Sequence, residues 1–351
     1  MRNSRDEVIE MVRDMQSIEK NQILNKYGFN ETKDWKVEEQ RKNFSELDGS
    51  SVLEVDYRPF DEFFSYFPLN KINKIIPRGD SRHNLMKHFI LGKNLGLLTT
   101  RKINTSDFKT VFISENLTDI HTISDQTYTF PLYLYPDDSN PQHRGADPLE
   151  GVTKNEQKPR PNFNPEIIKQ IETELGMELD WSAWINESFI DSEGLKFSAK
   201  DLLDYIYAVL HSPSYRERYK EFLKIDFPRV NFKLEKERFW RLVKLGNELR
   251  KLHLMEGINP LELEQGELAG EGENTVEKIK YQNGRAWIND TKYFDNVPDK
   301  AWNFYIGGYQ PARKWLKDRK GRQLSFDDIL HYQKIIYVLG QTDRMMSEID
   351  K

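Results

Sequence analysis

Hydrophobic positions in the first 25 residues fall at helical spacing. Val8, Ile9, Met11, Val12, Met15 and Ile18 recur every three or four positions among charged neighbours, which predicts an amphipathic helix. Residues 30–50 are polar and predict loop with a short helix. From 51 to 136 the texture changes to short apolar runs bounded by polar clusters. Ser51–Arg58 reads as a strand entering Pro59, and LGLLTT (95–100), TVFISE (110–115) and FPLYLYP (130–136) read as further strands. LMKHFIL (85–91) reads as a helix between them. Residues 137–165 carry Pro, Gly, Asn and charge without a period, which predicts a long linker or surface loop.

Helical periodicity returns after 165. Ser198, with Asp201 three residues on, is a capping signal ahead of DLLDYIYAVL, and Ser212-Pro213 opens a further helix, PSYRERYKEFL. Phe239, Leu242, Val243, Leu249 and Leu252 form another helical stripe. Residues 256–277 hold seven Glu and no Lys or Arg, and predict an acidic flexible loop. Asn283-Gly284 within KIKYQNGRAWIN (278–289) predicts a hairpin with a type I′ turn. Ser325, followed by Asp327 and Asp328, opens a last helix.

Composition narrows the class. The 351 residues correspond to about two domains or one large one. Aromatic residues at 12% are too many for a disordered chain. There is no cysteine, which excludes disulfides, a thiolate nucleophile and Cys-type zinc sites, and suits a reducing cytoplasm. The N-terminus lacks the apolar run of a signal peptide, and no stretch approaches the ~20 apolar residues of a membrane helix. The net charge of −5 argues against a chain uniformly coated for nucleic acid.

The distribution of charge changes that picture. Residues 71–109 hold nine Lys/Arg against two Asp, and residues 313–322 hold six Lys/Arg against Asp318. Two basic segments in an acidic chain form either a salt-bridged surface or a basic cleft, where Lys and Arg meet phosphates and Arg meets a guanine edge. Phosphate loops of the GxxxxGK[ST] type, GxGxxG turns, HExxH and GxSxG are absent. One formal catalytic match exists: Asp137, Glu156 and Lys158 spell the PD…ExK pattern of magnesium-dependent nucleases, though its second half lies in the period-free segment.

VDYRPFD (55–61), LMKH (85–88), GKNLGLL (92–98), VFISENLTDIHTIS (111–124) and TFPLYLYP (129–136) resemble, in that order, the C-terminal region of type ISP and type IIG restriction–modification enzymes. The resemblance continues through NETKDW (30–35), residues 201–230, LGNELRKLHL (245–254) and residues 303–342, and is weakest at 137–165 and in the acidic stretch. Such enzymes join a nuclease, an adenine methyltransferase and a target-recognition domain. The [ND]PP[YF] loop that holds a flipped adenine is missing, as are a Gly-rich S-adenosylmethionine turn and helicase motifs. The resemblance therefore implies the specificity end of such an enzyme, present here as an excised domain or a truncated product. S-adenosylmethionine and magnesium belong to the missing catalytic domains, and this chain itself takes no cofactor.

The expected fold is α+β: a helical lead-in (1–50), a mixed-sheet part that recognises DNA (51–136), a linker (137–165), and a mainly helical specificity part with the 278–289 hairpin (166–351). The expected function is recognition of double-stranded DNA, without catalysis by this chain, beside the adenine methyltransferase and nuclease domains of a cytoplasmic parent enzyme, and with no membrane partner. Candidate DNA contacts are Arg58, Arg78, Arg82, Lys87 and Arg101 from the first basic segment and its preceding strand. Lys317, Arg319 and Arg322 come from the second. Gly307, Gly308, Tyr309 and Gln310 form a turn that either joins two elements or exposes Gln310 to an adenine edge. Within YRPFD (57–61), Arg58 and Asp61 are either a structural ion pair or, for Arg58, part of the DNA-reading surface. Asp204, Tyr205, Tyr207, His211, Ser212, Pro213, Tyr215 and Arg216 lie among apolar neighbours at helical spacing, which favours packing over reading. Two other functions stay open at this point: a protein-interaction module that docks a separate catalytic subunit, and a stand-alone nuclease using Asp137, Glu156 and Lys158.

Overall fold

The computed structural model describes residues 4–33, 35–43, 49–67, 82–103, 107–124, 126–136, 159–183, 188–190 and 194–351. Ser4 caps α1 (Arg5–Ser17) by accepting from the Glu7 amide, and Val8, Met11, Val12 and Met15 form its buried face. The single helix expected over 1–25 is in fact two. The chain leaves helical geometry at Ile18 and folds back as α2 (Lys20–Tyr27), where Lys26 binds Glu10 and Asp14 and the Tyr27 hydroxyl donates to Asp14. Trp35 and Val37, at the start of α3 (Val37–Asn43), complete this core with Val52 and Tyr66.

The hairpin of β1 (Val52–Arg58) and β2 (Asp61–Tyr66) follows. After α4 (His83–Ile90) come β3 (Gly96–Thr99), β4 (Val111–Ser114), β5 (Leu117–Thr118) and β6 (Tyr128–Pro131). They form two small sheets, ordered β2-β1-β5 and β4-β3-β6. α4 covers the first sheet, with Met86 against Val55 and Leu117. β7 (Tyr133–Leu134) pairs with β8 (Arg160–Pro161), and Asn164 caps α5 (Pro165–Leu175). The last residues of the expected 137–165 linker are therefore built into strand and helix, while Asp137, Glu156 and Lys158 lie outside the described residues.

The parallel pair β9 (Glu178–Leu179) and β10 (Lys196–Phe197) leads into α6 (Ala199–His211), α7 (Pro213–Arg218), α8 (Lys220–Leu223) and α9 (Lys236–His253). The predicted PSYRERYKEFL helix breaks at Tyr219, giving α7 and α8. α6 and α9 cross closely. A Cβ on Gly246 would stand 1.9 Å from the Asp204 carbonyl oxygen, so only glycine permits the approach. At the same crossing the buried Asp204 carboxylate takes a bidentate bond from Arg250, at 2.7 and 3.3 Å.

The Glu-rich stretch is not wholly a loop. It supplies β11 (Glu267–Gly270), which joins β12 (Lys280–Gln282), β13 (Arg285–Trp287) and β14 (Lys292–Asp295) in an antiparallel sheet ordered β11-β14-β13-β12. Asn283 and Gly284 carry φ of 54° and 73°, as the expected type I′ turn requires. α10 (Asp299–Asn303), α11 (Pro311–Asp318) and the long α12 (Phe326–Ile349) complete the chain. The α+β class holds, but the cores ignore the expected boundary between 51–136 and 166–351. One core joins Leu95, Val111 and Tyr133 to α5, α6 and α9, and another joins Phe60, Leu98 and Phe112 to α11 and α12. Among the described residues, no helix is long and apolar enough to cross a membrane.

Candidate nucleic-acid interface

The β1–β2 turn meets the second basic segment. Arg58-Pro59-Phe60-Asp61 reverses the chain, with Arg58 opposite Asp61. Proline fixes its own φ, so the positive φ falls on Phe60, at 61°. A non-glycine residue there costs of order 1–3 kcal/mol. Burial offsets it: Phe60 is 7% exposed and packs edge-on to Phe112, and full burial of such a ring stabilises by roughly 1.5–3 kcal/mol. His331 of α12 adds a hydrogen bond from Nε2 to the Phe60 carbonyl at 2.7 Å. A carbonyl only accepts, so that imidazole carries its proton on Nε2. Burial holds its pKa below the ordinary histidine value, so the ring stays neutral.

Asp61 anchors the turn to the C-terminal segment. It is 2% exposed and accepts from Arg319 Nη2 at 2.9 Å. Burial raises its pKa, against the pull of Arg319. The Arg319 guanidinium lies 3.5 Å from the Trp315 ring centre, and Nη1 donates to the Trp315 carbonyl. Asp328 stands 3.7 Å from Arg319 Nε and accepts from Arg322 Nη2 at 2.9 and 3.0 Å. The same Asp328 closes the Ser325 capping box of α12. Burial pushes its pKa up, but the Ser325 hydrogen bonds and the two arginines outweigh that and leave it lowered.

Arg58 and the flank of α11 lie beside this anchor. The Arg58 guanidinium is 3.9 Å from the Tyr57 ring centre and 4.9 Å from that of Tyr309, with Asp119 3.5 Å from Nη1. Lys314 Nζ lies 5.7 Å from the Tyr57 ring centre and pairs with Asp318. Gln310, Lys314 and Lys317 are spaced i, i+4, i+7 along one flank of α11, while Ala312, Trp315 and Leu316 face the core. Arg313, Lys317 and Lys320 are exposed and have no carboxylate partner among the described residues. The loop before α11 is pinned from behind. The Gly307 amide donates to the Lys109 carbonyl at 2.6 Å, the Gly308 amide to the Ile123 carbonyl at 2.8 Å, and Lys109 Nζ lies 4.8 Å from the exposed Tyr305 ring.

The structure therefore gathers Arg58, Gln310 and Lys317 on one surface and sets Arg319 behind it as an anchor, while Arg322 binds Asp328 and stays 39% exposed. The Arg–Asp pair considered within YRPFD is corrected: Asp61 pairs with Arg319 and Arg58 with Asp119. Lys87 of α4 is buried, 3% exposed. Arg82 is exposed at the start of α4. Arg101 is exposed but sits beside Asp226, after α8, at 3.3 Å. Arg78 lies outside the described residues. The 204–216 block is chiefly packing, as its spacing favoured, with Tyr205, Tyr207, His211 and Tyr215 buried. Sequence reasoning missed Tyr57, Tyr309 and Asp119 as partners of Arg58. Only the aromatic-flanked Arg within YRPFD hinted at them.

The chain belongs to the family of Type ISP C-terminal specificity domains, whose model matches residues 1–348. It is similar in fold to a chain of the DrdV–DNA complex, with TM-score 0.67 and 18% identity, covering 99% of this chain and 34% of that one. It is similarly related to the ATP-dependent Type ISP restriction–modification enzyme LlaBIII bound to DNA, with TM-score 0.62 and 18% identity, over 99% of this chain and 21% of that one. A third structure, a nuclease-deletion mutant of the Type ISP enzyme LlaGI with a DNA substrate mimic, gives TM-score 0.56 and 17% identity, over 99% of this chain and 30% of that one. The chain thus spans about a third or less of each of these structures' chains. No curated protein matches it.

Proposed function

We propose that this domain recognises double-stranded DNA for a restriction–modification enzyme and positions it for adenine methylation and cleavage by other domains. The observation that carries the reading is the convergence at the β1–β2 turn. Residues 57–61 and 305–322, far apart in sequence, build one surface on which Arg313, Lys317 and Lys320 stand without carboxylate partners among the described residues. Cations left uncompensated on and just after α11 suit a polyanion, since each phosphate neutralised releases counterions. Family membership and the DNA-bound relatives support the same reading. The net charge of −5 does not oppose it, because much acid sits elsewhere, in the Glu-rich stretch before β12.

In this reading the methyltransferase and nuclease chemistry, with its S-adenosylmethionine and magnesium, belongs to those other domains, and the site of action is the cytoplasm. Among the described residues, no group of three or more His, Asp or Glu is arranged to hold a metal ion. The test is a fluorescence-anisotropy titration of the chain with labelled duplex at low salt. Binding that weakens as salt rises supports the proposal. No measurable binding contradicts it and would turn attention to a protein-docking role.

A further inference from the structure

Gln310 is a neutral side chain set among cations on this surface, and its amide is almost unbonded. Oε1 accepts from no group among the described residues and is open to solvent. Nε2 makes one exposed contact, 3.5 Å to Asn303 Oδ1, which leaves its second hydrogen free. The root of the side chain, by contrast, is fixed from both sides. Pro311 follows it and confines it to extended backbone, with φ −95° and ψ 99°. Its carbonyl accepts from the Lys314 amide at 2.8 Å and so opens α11. Ahead of it, the Ile306–Tyr309 bridge closes the turn that Gly307 and Gly308 tie to the Lys109 and Ile123 carbonyls. The Tyr309 ring centre lies 4.9 Å from the Arg58 guanidinium.

A free amide on a fixed root suits reading better than anchoring. It carries no charge, so it releases no counterions and adds nothing to the general attraction for phosphate. It holds one acceptor and one donor side by side. The major-groove edge of adenine offers the complementary pair, with N6 donating and N7 accepting. Guanine offers two acceptors there and would set O6 against Oε1, while thymine offers only an acceptor and cytosine only a donor. The place of Gln310 along α11 fits the same use. A helix laid in the major groove brings the residues of its N-terminal end to the base edges. Arg313 and Lys317, exposed and without carboxylate partners among the described residues, follow on the open side of α11, and Ala312, Trp315 and Leu316 are buried behind it. Contacts from those two cations to phosphate fix position and carry no sequence information, which leaves the reading to the neutral group ahead of them.

We propose that Gln310 is a specificity-determining residue that reads an adenine edge of the target sequence in the major groove. This rests on the DNA-recognition reading above. Selection of bound duplexes from a random library, using the 351-residue chain, tests it. The wild type is expected to enrich a motif holding an A·T pair at which Gln310→Ala loses about ten- to hundredfold in preference. The other positions of the motif and the salt slope of the alanine variant should match the wild type, because the lost amide is uncharged. Gln310→Glu replaces the donor by a second acceptor and keeps the size of the side chain, so it serves if the alanine variant does not fold. It should move the preference at that one position from adenine toward cytosine, whose N4 donates to a carboxylate.

An unchanged preference at every position in both variants would overturn the assignment. So would a wild type that binds duplex but enriches no A·T pair. Weaker binding of Gln310→Ala to all duplexes alike, with its base preferences intact, would make Gln310 a backbone contact or a structural residue instead. A wild type that binds no duplex at all would overturn the DNA-recognition reading itself, and the assignment with it.

Discussion

Asp61 has one carboxylate oxygen bound by Arg319 and the other, Oδ2, buried without a hydrogen-bond partner. Such a group depends on its single cation. Removing one partner of a buried pair costs about 3–5 kcal/mol, because the remaining charge stays desolvated. Arg319→Ala is therefore expected to lower stability by roughly that amount in urea unfolding, while the folded variant keeps the wild-type salt slope for duplex DNA. A variant of unchanged stability whose slope falls by about one would restore Arg319 as a phosphate contact. His253 shows the same dependence on environment. Tyr207 O–H faces its Nδ1, and Nε2 lies 2.9 Å from Thr342 Oγ1, whose own proton goes to the Val338 carbonyl. That chain is satisfied by a neutral ring protonated on Nε2. Burial holds the His253 pKa down to about 3 and that of His211 well below the ordinary 6.5. A depressed folded pKa means that the unfolded chain takes up the protons first. The stability these two rings contribute is therefore present above pH 6.5 and is lost as pH falls from there toward 3. NMR ring signals of both histidines should stay in the neutral position at pH 5.5 in the folded protein. Titration of either near pH 6.5 would contradict the buried network.

At the scale of elements, two glycines set close approaches. Gly246→Ala must separate α6 from α9, and the expected loss is several kcal/mol by denaturant unfolding, since the obstacle is backbone. At Gly307, with φ of 58°, a Cβ would meet the Ile123 carbonyl oxygen at 1.7 Å. Gly307→Ala should displace Tyr309 and Gln310 and weaken duplex binding more than it lowers the melting temperature. Unchanged affinity would show that this loop takes no part in binding. Elements specified by neighbouring residues were legible in the sequence: the Ser198/Asp201 and Ser325/Asp328 capping boxes, the Asn283-Gly284 turn and the α9 stripe. Elements specified by distant partners were not. β11 gives no alternation of its own, because its ladder is set by Leu268 against Phe294 on β14. The break after α1 follows from docking of α2 onto Glu10 and Asp14, which no local signal at Ile18 announces. The basic segments were visible as composition, but the division of labour within them was not. Arg319 and Lys317 are two residues apart, and only the fold shows that one is an anchor and the other exposed.

At the scale of the molecule, a net charge of −5 coexists with a cationic surface because the fold sorts its charges. Asp61, Asp328, Asp119 and Asp318 neutralise the cations that hold or orient the surface, and Arg313, Lys317 and Lys320 are left uncompensated. That sorting is the central claim, and the salt dependence of duplex binding measures it. The log–log slope of the wild type should be steep. The triple variant Arg313→Ala, Lys317→Ala, Lys320→Ala should reduce it by about 2.7, at roughly 0.9 for each phosphate no longer neutralised, without a change in melting temperature. Duplex binding that is independent of salt, or a triple variant with the wild-type slope, would contradict the account.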